Sequence, residues 1–531
     1  MLIPIRTQTF PGIITAGAIL IFMLTAMSAL LLHSPETSLS AIWLDPYYRH
    51  VTAFSFYQAF LSTVLSIGLA IPVAHALSRR HFPGKALLLK LFATTLVLPV
   101  LVGVLGIISI YGNSGLIAQI LNGFGYQLPF SIYGLNGILL AHVFFNLPFA
   151  TRLLLQSLQS IPVEQHKLAA HLGVFHWHKF KLLEWPSMRQ QLPHVAGLVF
   201  MLCFTSFATV MALGGGPKST TIELAIYQAI KFDFDLQSGA MLALWQMLLC
   251  TVVAIFIQRF TRPIPIMNST SRQSQFLLSD SPLARCWDWL WISAVILLVL
   301  PPLVMVIIGG MNTQLIVMLM ASDFWHALSN SLLIAICAAC LALIAAIFIL
   351  TCSRFWRLRG LHFRADKLEF IASIILVTPG IVISTGIFLL LRENSDVFSF
   401  AWLVVIMVNA LMALPYVIKT LAQPMLHMAQ QYDKLCTSLG VFTWHRFKLI
   451  EWRAIKQPIV HAFIISFVLS VGDLSAIALF GSQDFNTLPL YLLQLLASYQ
   501  MSSAAVIALI LLLLSVGTFT VIEKIMLKKQ S

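Results

Sequence analysis

Apolar runs of about 20 residues, long enough to cross a bilayer as helices, recur from one end of the chain to the other. Spans are expected near 12–32, 54–77, 90–112, 136–157, 194–214 and 238–259, and again near 287–309, 327–352, 368–392, 399–422, 459–481 and 503–526. Inside lipid every backbone polar group needs a partner within the protein, so segments this long are expected to be helices. Composition agrees: 59% of the 531 residues are hydrophobic and 10% are charged, whereas a soluble domain carries about 25% charged residues. The expected fold class is an all-α polytopic membrane protein with about twelve transmembrane helices.

Basic residues near span ends stay on the cytoplasmic side, and on this topology 28 of the 32 Lys and Arg fall on one side. They include Arg79, Arg80, Lys85 and Lys90 after the second span and Arg354, Arg357, Arg359, Arg364 and Lys367 after the eighth. Arg49, Lys218, Lys231 and Arg392 are the exceptions. Both termini are therefore expected in the cytoplasm. Topology, with a contribution from anionic membrane lipid, accounts for the net charge of +13. Nucleic acid is not an expected partner, because no basic patch with interleaved aromatics lies outside these loops. Arg6 and the apolar run after it read as the first span, since no small-residue cleavage site follows. The seven cysteines lie in or beside spans or on the cytoplasmic side, where disulfides are not expected, and no metal site is expected.

One polar stretch occurs twice, 267 positions apart: KLAAHLGVFHWHKFKLLEW at 167–185 and KLCTSLGVFTWHRFKLIEW at 434–452, with 13 of 19 positions identical. The same offset relates Pro148 to Pro415, Gly214 to Gly481 and Thr220 to Thr487, so the repeating unit is half a molecule. Residues 260–285, rich in Pro, Ser and polar groups, read as a cytoplasmic linker between a first half at 1–259 and a second at 286–531. Six spans per half insert both copies in the same direction, which makes the repeats parallel about an axis along the membrane normal.

Each repeated stretch reads as helix, break, helix on the cytoplasmic side. Leu168, Leu172 and Phe175 fall at helical spacing, Gly173 interrupts, and Trp177, Phe180 and Leu183 follow three apart. The second copy supplies Leu435, Leu439, Gly440 and Phe442, then Trp444, Phe447 and Ile450. Lys167 and Lys434 open the two copies. An interfacial anchor would explain one such element. Two in pseudo-symmetric positions favour a pair of identical or homologous partners.

At these residues the chain resembles the permeases of type I ABC importers, whose EAA loop carries a glycine followed ten residues later by an I-x-L-P ending. Gly173 is followed at that distance by Leu183, Glu184, Trp185 and Pro186, and Gly440 by Ile450, Glu451, Trp452 and Arg453. The E-A-A triplet itself reads Lys167, Leu168, Ala169 in one copy and Lys434, Leu435, Cys436 in the other. Flanking segments, among them FSFYQAF at 54–60, AHVFFNLPFATRLLLQ at 141–156 and LGGGPKSTTIELAIYQA at 213–229, are similar to those of family members that import thiamine and its phosphates.

The resemblance implies two fused parallel six-helix halves of the MetI-like fold in a bacterial inner membrane. It also implies two copies of a cytoplasmic ABC ATPase seated on the loops and a periplasmic thiamine-binding protein on the outer face. The loop residues Lys167, Leu168, Leu172, Gly173, Phe175, Trp177 and Phe180, with Lys434, Leu435, Leu439, Gly440, Phe442, Trp444 and Phe447, would then couple ATP hydrolysis to transport. ATP and Mg belong to the partner, and no cofactor is expected on this chain, which lacks a G-x-x-x-x-G-K-[ST] phosphate loop. A non-catalytic permease subunit is the expectation. An iron(III) permease of the same fused design is the nearest alternative, and a proton-coupled secondary transporter a more distant one, since that class carries several intramembrane ionisable groups.

Asp473 stands nearly alone as such a group. It is expected within the eleventh span, and its first-half equivalent is Ser206. A carboxylate at this depth is costly and faces a bundle interior or a water-filled path, so Asp473 is a candidate gate or pathway residue. The alternative is an acid bonded to neighbouring Ser or backbone groups that fixes helix packing.

Overall fold

The computed structural model describes residues 5–33, 43–174, 176–260, 281–376, 378–394, 397–441 and 443–527. Among these, all regular structure is helical. Ten helices are long and apolar enough to cross a membrane, or eleven when one bent pair counts as a span. Residues 261–280, most of the expected linker, lie outside the described residues.

Four of the twelve expected spans contain a break: the fifth and ninth drop out of the count of ten for that reason, while the third and eleventh each keep one piece or path long enough to be counted. The third expected span is two helices, Lys85–Val97 and Val100–Tyr111, separated at Leu98 and Pro99. Proline cannot donate to the preceding turn and drives the residue before it out of the helical region. Leu98 accordingly has ψ 129°. The ninth is likewise His362–Ser373 and Gly380–Asn394, with Pro379 immediately before the second piece. The fifth, Trp185–Phe204 and Phe207–Leu213, bends by 52°, and the eleventh breaks between Trp452–Gly472 and Ser475–Phe480. Hydropathy runs through all four breaks, which is why sequence alone merges them.

The two halves interlock. The first span, Ile5–Leu32, packs on the eighth, Ser322–Leu358, and on Gly380–Asn394 of the second half. Reciprocally the seventh, Pro282–Gly310, packs on Val100–Tyr111 and on the second span, Pro46–Arg79. Lipid gives no hydrophobic drive between helices, so close backbone approach at small residues carries much of the association. A Cβ at Gly106 would strike the Pro302 carbonyl of the seventh span, and one at Gly386 the Ala26 carbonyl of the first. An ion pair joins the same elements at the loop-bearing end: Asp288, 1% exposed, sits 2.6 Å from Arg80 Nη2, with Arg79 Nε at 3.6 Å.

At the opposite end, short buried helices Ile222–Lys231 and Leu488–Ala497 follow the fifth and eleventh spans. The Ile222 N–H donates to Ser55 Oγ at 3.0 Å and the Leu488 N–H to Ser331 Oγ at 2.7 Å, so each half stitches this helix to its second member in the same way. Lys231 then reaches across the halves. Its Nζ donates to the carbonyls of Leu479 at 3.3 Å and Gly481 at 3.0 Å, where the Ser475–Phe480 helix leaves its last carbonyls unpaired.

Candidate functional site

The repeated loops fold alike at their glycines. Helix Val163–His171 ends in a left-handed residue, Gly173, at φ 66°, and the tenth span, Ala401–Ser438, ends in Gly440, also at φ 66°. The Val174 N–H returns to Ala169 O at 2.9 Å and the Val441 N–H to Cys436 O at 3.0 Å, the six-to-one closure of a Schellman motif. Glycine is the residue that adopts this conformation without a Cβ penalty.

Beyond each glycine comes one helical turn, His176–Lys179 or Thr443–Arg446, and then a π-helical turn, Phe180–Glu184 or Phe447–Glu451. Such widened turns are rare and concentrate at functional places in helices. They run directly into the fifth and eleventh spans.

Lys167, Leu168, Leu172 and Trp177 are exposed, as are Lys434, Leu435 and Leu439. Leu172 is 69% and Leu439 67% exposed. The paired loops therefore present matched apolar knobs rimmed by lysine. Phe180 instead packs inward, its ring 4.9 Å from that of His75 and 5.4 Å from that of Trp177. Phe175 and Phe442 lie outside the described residues, and so do the side chains of Trp444 and Phe447.

The identical acids at the ends of the π turns, Glu184 and Glu451, were not among the residues expected to matter. Both are buried. Glu184 Oε2 lies 2.9 Å from His75 Nε2 on the second span, and Lys179 Nζ is 3.4 Å from Oε1. Glu451 accepts from Arg354 Nη2 on the eighth span at 2.8 and 2.9 Å and from Arg446 Nε at 2.9 Å. Arg446 also pairs with Asp433 at 2.7 Å. The available signal was an acid identical in both copies within an otherwise basic loop.

Deeper in the bundle, the helix breaks carry the polar groups. Asp473 lies in the break of the eleventh span, where its carboxylate accepts from Ser475 Oγ at 2.9 and 3.0 Å and from the Ala476 N–H at 3.4 Å. Ser206 holds the equivalent break in the fifth span and bonds His142 Nε2 at 2.8 Å, while His142 Nδ1 meets Ser62 Oγ at 2.8 Å. Asn409 occupies the position of His142 in the second half and donates to Ser470 Oγ at 3.0 Å. Buried Glu223 lies on the Ile222–Lys231 helix, which packs on the Ser475–Phe480 helix that follows Asp473. No group of three or more His, Cys, Asp or Glu among the described residues is arranged to hold a metal ion.

Residues 361–525 match a family described as "Binding-protein-dependent transport system inner membrane component". The thiamine transport system permease protein ThiP of Salmonella typhimurium is 49% identical over 97% of this chain and 96% of its own length. Its Escherichia coli counterpart is 48% identical with the same coverage, and that of Haemophilus influenzae 42% identical over 95% of this chain and 93% of its own. Similarity of this extent spans both halves, both loops and every helix break described above. The chain belongs to the family of thiamine transport system permease proteins, inner membrane components of binding-protein-dependent transport.

Proposed function

We propose that this chain is the permease subunit of an ATP-driven importer that carries thiamine and its phosphates, including thiamine pyrophosphate, across the bacterial inner membrane. The observation that carries this reading is the pair of exposed apolar loops, built alike in both halves, in a chain 49% identical to a thiamine transport system permease over nearly its whole length. A surface repeated about a two-fold suits a two-fold partner. Two copies of a cytoplasmic ABC ATPase would seat on the loops, and a periplasmic thiamine-binding protein would deliver substrate at the opposite face. Both termini then lie in the cytoplasm. ATP and Mg are used by the ATPase, so this chain is a non-catalytic subunit with no cofactor of its own.

Transport follows from coupling two states: closure of the ATPase dimer draws the loops together, and the spans attached to them exchange inward-facing for outward-facing packing. Thiamine is a cation, and Asp473 places a carboxyl group where the broken eleventh span meets the short helix of the first half. We assign Asp473 to the gate or pathway on that ground.

Uptake of labelled thiamine and of iron(III), each in cells starved for it, tests the assignment. Deletion of this chain is expected to abolish thiamine uptake and leave iron uptake intact, with a cytoplasmic ATPase co-purifying with the restored protein. Thiamine uptake that survives deletion overturns the proposal, and lost iron uptake moves it to the iron(III) class.

A further inference from the structure

The two buried glutamates under the loops are placed to do more than fill space. An acid in this position meets a desolvation cost, which is offset only when its partners are well aligned. Glu184 is 5% and Glu451 4% exposed, and each has one cation from its own loop and one nitrogen partner, His75 or Arg354, from a span on which the loop rests. The loop cations Lys179 and Arg446 correspond at the 267-residue offset. The span partners His75 and Arg354 each sit four residues before the end of their helices, at Arg79 and Leu358. The arrangement is therefore kept although the partner residues differ. Both acids close a π turn, so the same residue ends the widened backbone and fastens it to the neighbouring span.

We propose that Glu184 and Glu451 are positioning residues: each is the joint through which movement of an exposed loop is passed to the second or the eighth span. The knobs that would face a partner, such as Leu172 and Leu439, point outward, while the glutamates point inward to the helices that must move. A loop held only by apolar contact could slide when pushed. A charged joint with two tethers transmits the displacement. The second joint, with Arg354 making two contacts to the carboxylate and Arg446 braced by Asp433, is the more rigid. The first depends on a histidine and a lysine, so the two loops deliver unequal strokes.

The proposal rests on the importer reading, and the test separates the two. Full transporters, assembled with the ATPase and the thiamine-binding protein in liposomes, are assayed for thiamine carried per ATP hydrolysed. Glu184→Gln and Glu451→Gln keep shape and remove the charge; each is expected to retain the full ATPase complement and ATP hydrolysis while carrying about tenfold less thiamine per ATP, the scale of a lost charged hydrogen bond. The double Arg354→Gln/Glu451→Gln variant is expected to be no worse than Glu451→Gln alone, as for two ends of one link. A merely structural role would lower assembly and leave the ratio of surviving complexes untouched, and that result overturns the proposal. Should a glutamine variant fail to assemble, Arg354→Lys decides, because it keeps the charge and removes the planar guanidinium whose Nη2 is held against both carboxylate oxygens: a reduced ratio supports the joint and an unchanged one sinks it. If the unaltered transporter carries no thiamine, the importer reading fails first.

Discussion

Gly440 and Asp473 show how single positions set what can be tested. At Gly440 the backbone is left-handed, at φ 66°, a value closed to proline, whose ring holds φ near −65°. Gly440→Pro must therefore rebuild the turn between the tenth span and the second loop, and Gly173→Pro the same turn in the first. Both proteins are expected to reach the membrane and to lose thiamine uptake, with the ATPase no longer retained on purification; normal retention and uptake would remove the loops from the coupling role. Asp473→Asn separates charge from structure, because asparagine serves about as well as aspartate at the start of a helix. Unchanged thermal stability with reduced thiamine uptake is expected, and unchanged uptake would leave Asp473 as a support for the Ser475–Phe480 helix alone. The glycines were legible in sequence because their conformational role shows as an interruption of helical spacing. Glu184 and Glu451 were visible as identities, yet their burial depends on His75 and Arg354, which lie 109 and 97 residues away. No local pattern encodes such a meeting.

Elements were legible where hydropathy decides and obscure where backbone chemistry does. The long unbroken spans were found, but several helices outrun the apolar run that reveals them: the tenth was expected to end at 422 and continues to Ser438, and the second was expected from 54 and begins at Pro46. The breaks at Pro99 and Pro379 were missed because apolar residues continue through them, and the π turns because Phe-Lys-Leu-Leu-Glu reads as ordinary helix. A further difference separates the halves. The tenth span runs without interruption from Ala401 to Ser438, with Pro415 and Pro424 inside it, and leads directly into the second loop. In the first half the fourth span stops at Gln159, and helix Val163–His171 restarts after Pro162 at φ −58° and ψ 141°. The residue at the matching position of the second half is Ala429, inside the helix. Pro162 has no N–H to continue the helix and disfavours the helical region at Ile161, and unlike Pro148, Pro415 and Pro424 it lies at a helix boundary. Pro162→Ala is thus expected to let the fourth span continue into its loop. Amide hydrogen exchange reads this directly: protection should rise across residues 160–164 and stay constant across 427–431. Constant protection at both places would assign the break to other contacts.

The interlocked halves make the whole molecule one cooperative object instead of two bundles side by side. The repeat and its parallel orientation were legible in sequence, whereas the exchange of first spans was not, because parallel six-span halves can pack with or without it. Asp288 shows what holds the exchange. It sits near the start of the seventh span, buried, against Arg80 at the end of the second, 208 residues earlier. Two opposite charges out of water gain little over a well-packed apolar pair, but removing one leaves the other stranded. Asp288→Ala should therefore destabilise the protein by about 3–5 kcal/mol, read as a fall in the midpoint of thermal unfolding in detergent. Asp288→Leu combined with Arg80→Met and Arg79→Met removes the acid and both arginines it faces and should recover most of the loss. At exposed Asp366, whose partner Arg357 keeps a second acid in Glu369, Asp366→Ala should cost only about 0–1 kcal/mol. If Asp288→Ala costs no more than that surface change, the ion pair is incidental and the halves are held by their packing, including the close contacts at Gly106 and Gly386, and by the Lys231 bonds. Gly386→Leu, which drives a side chain into the Ala26 backbone, would then be the more damaging substitution.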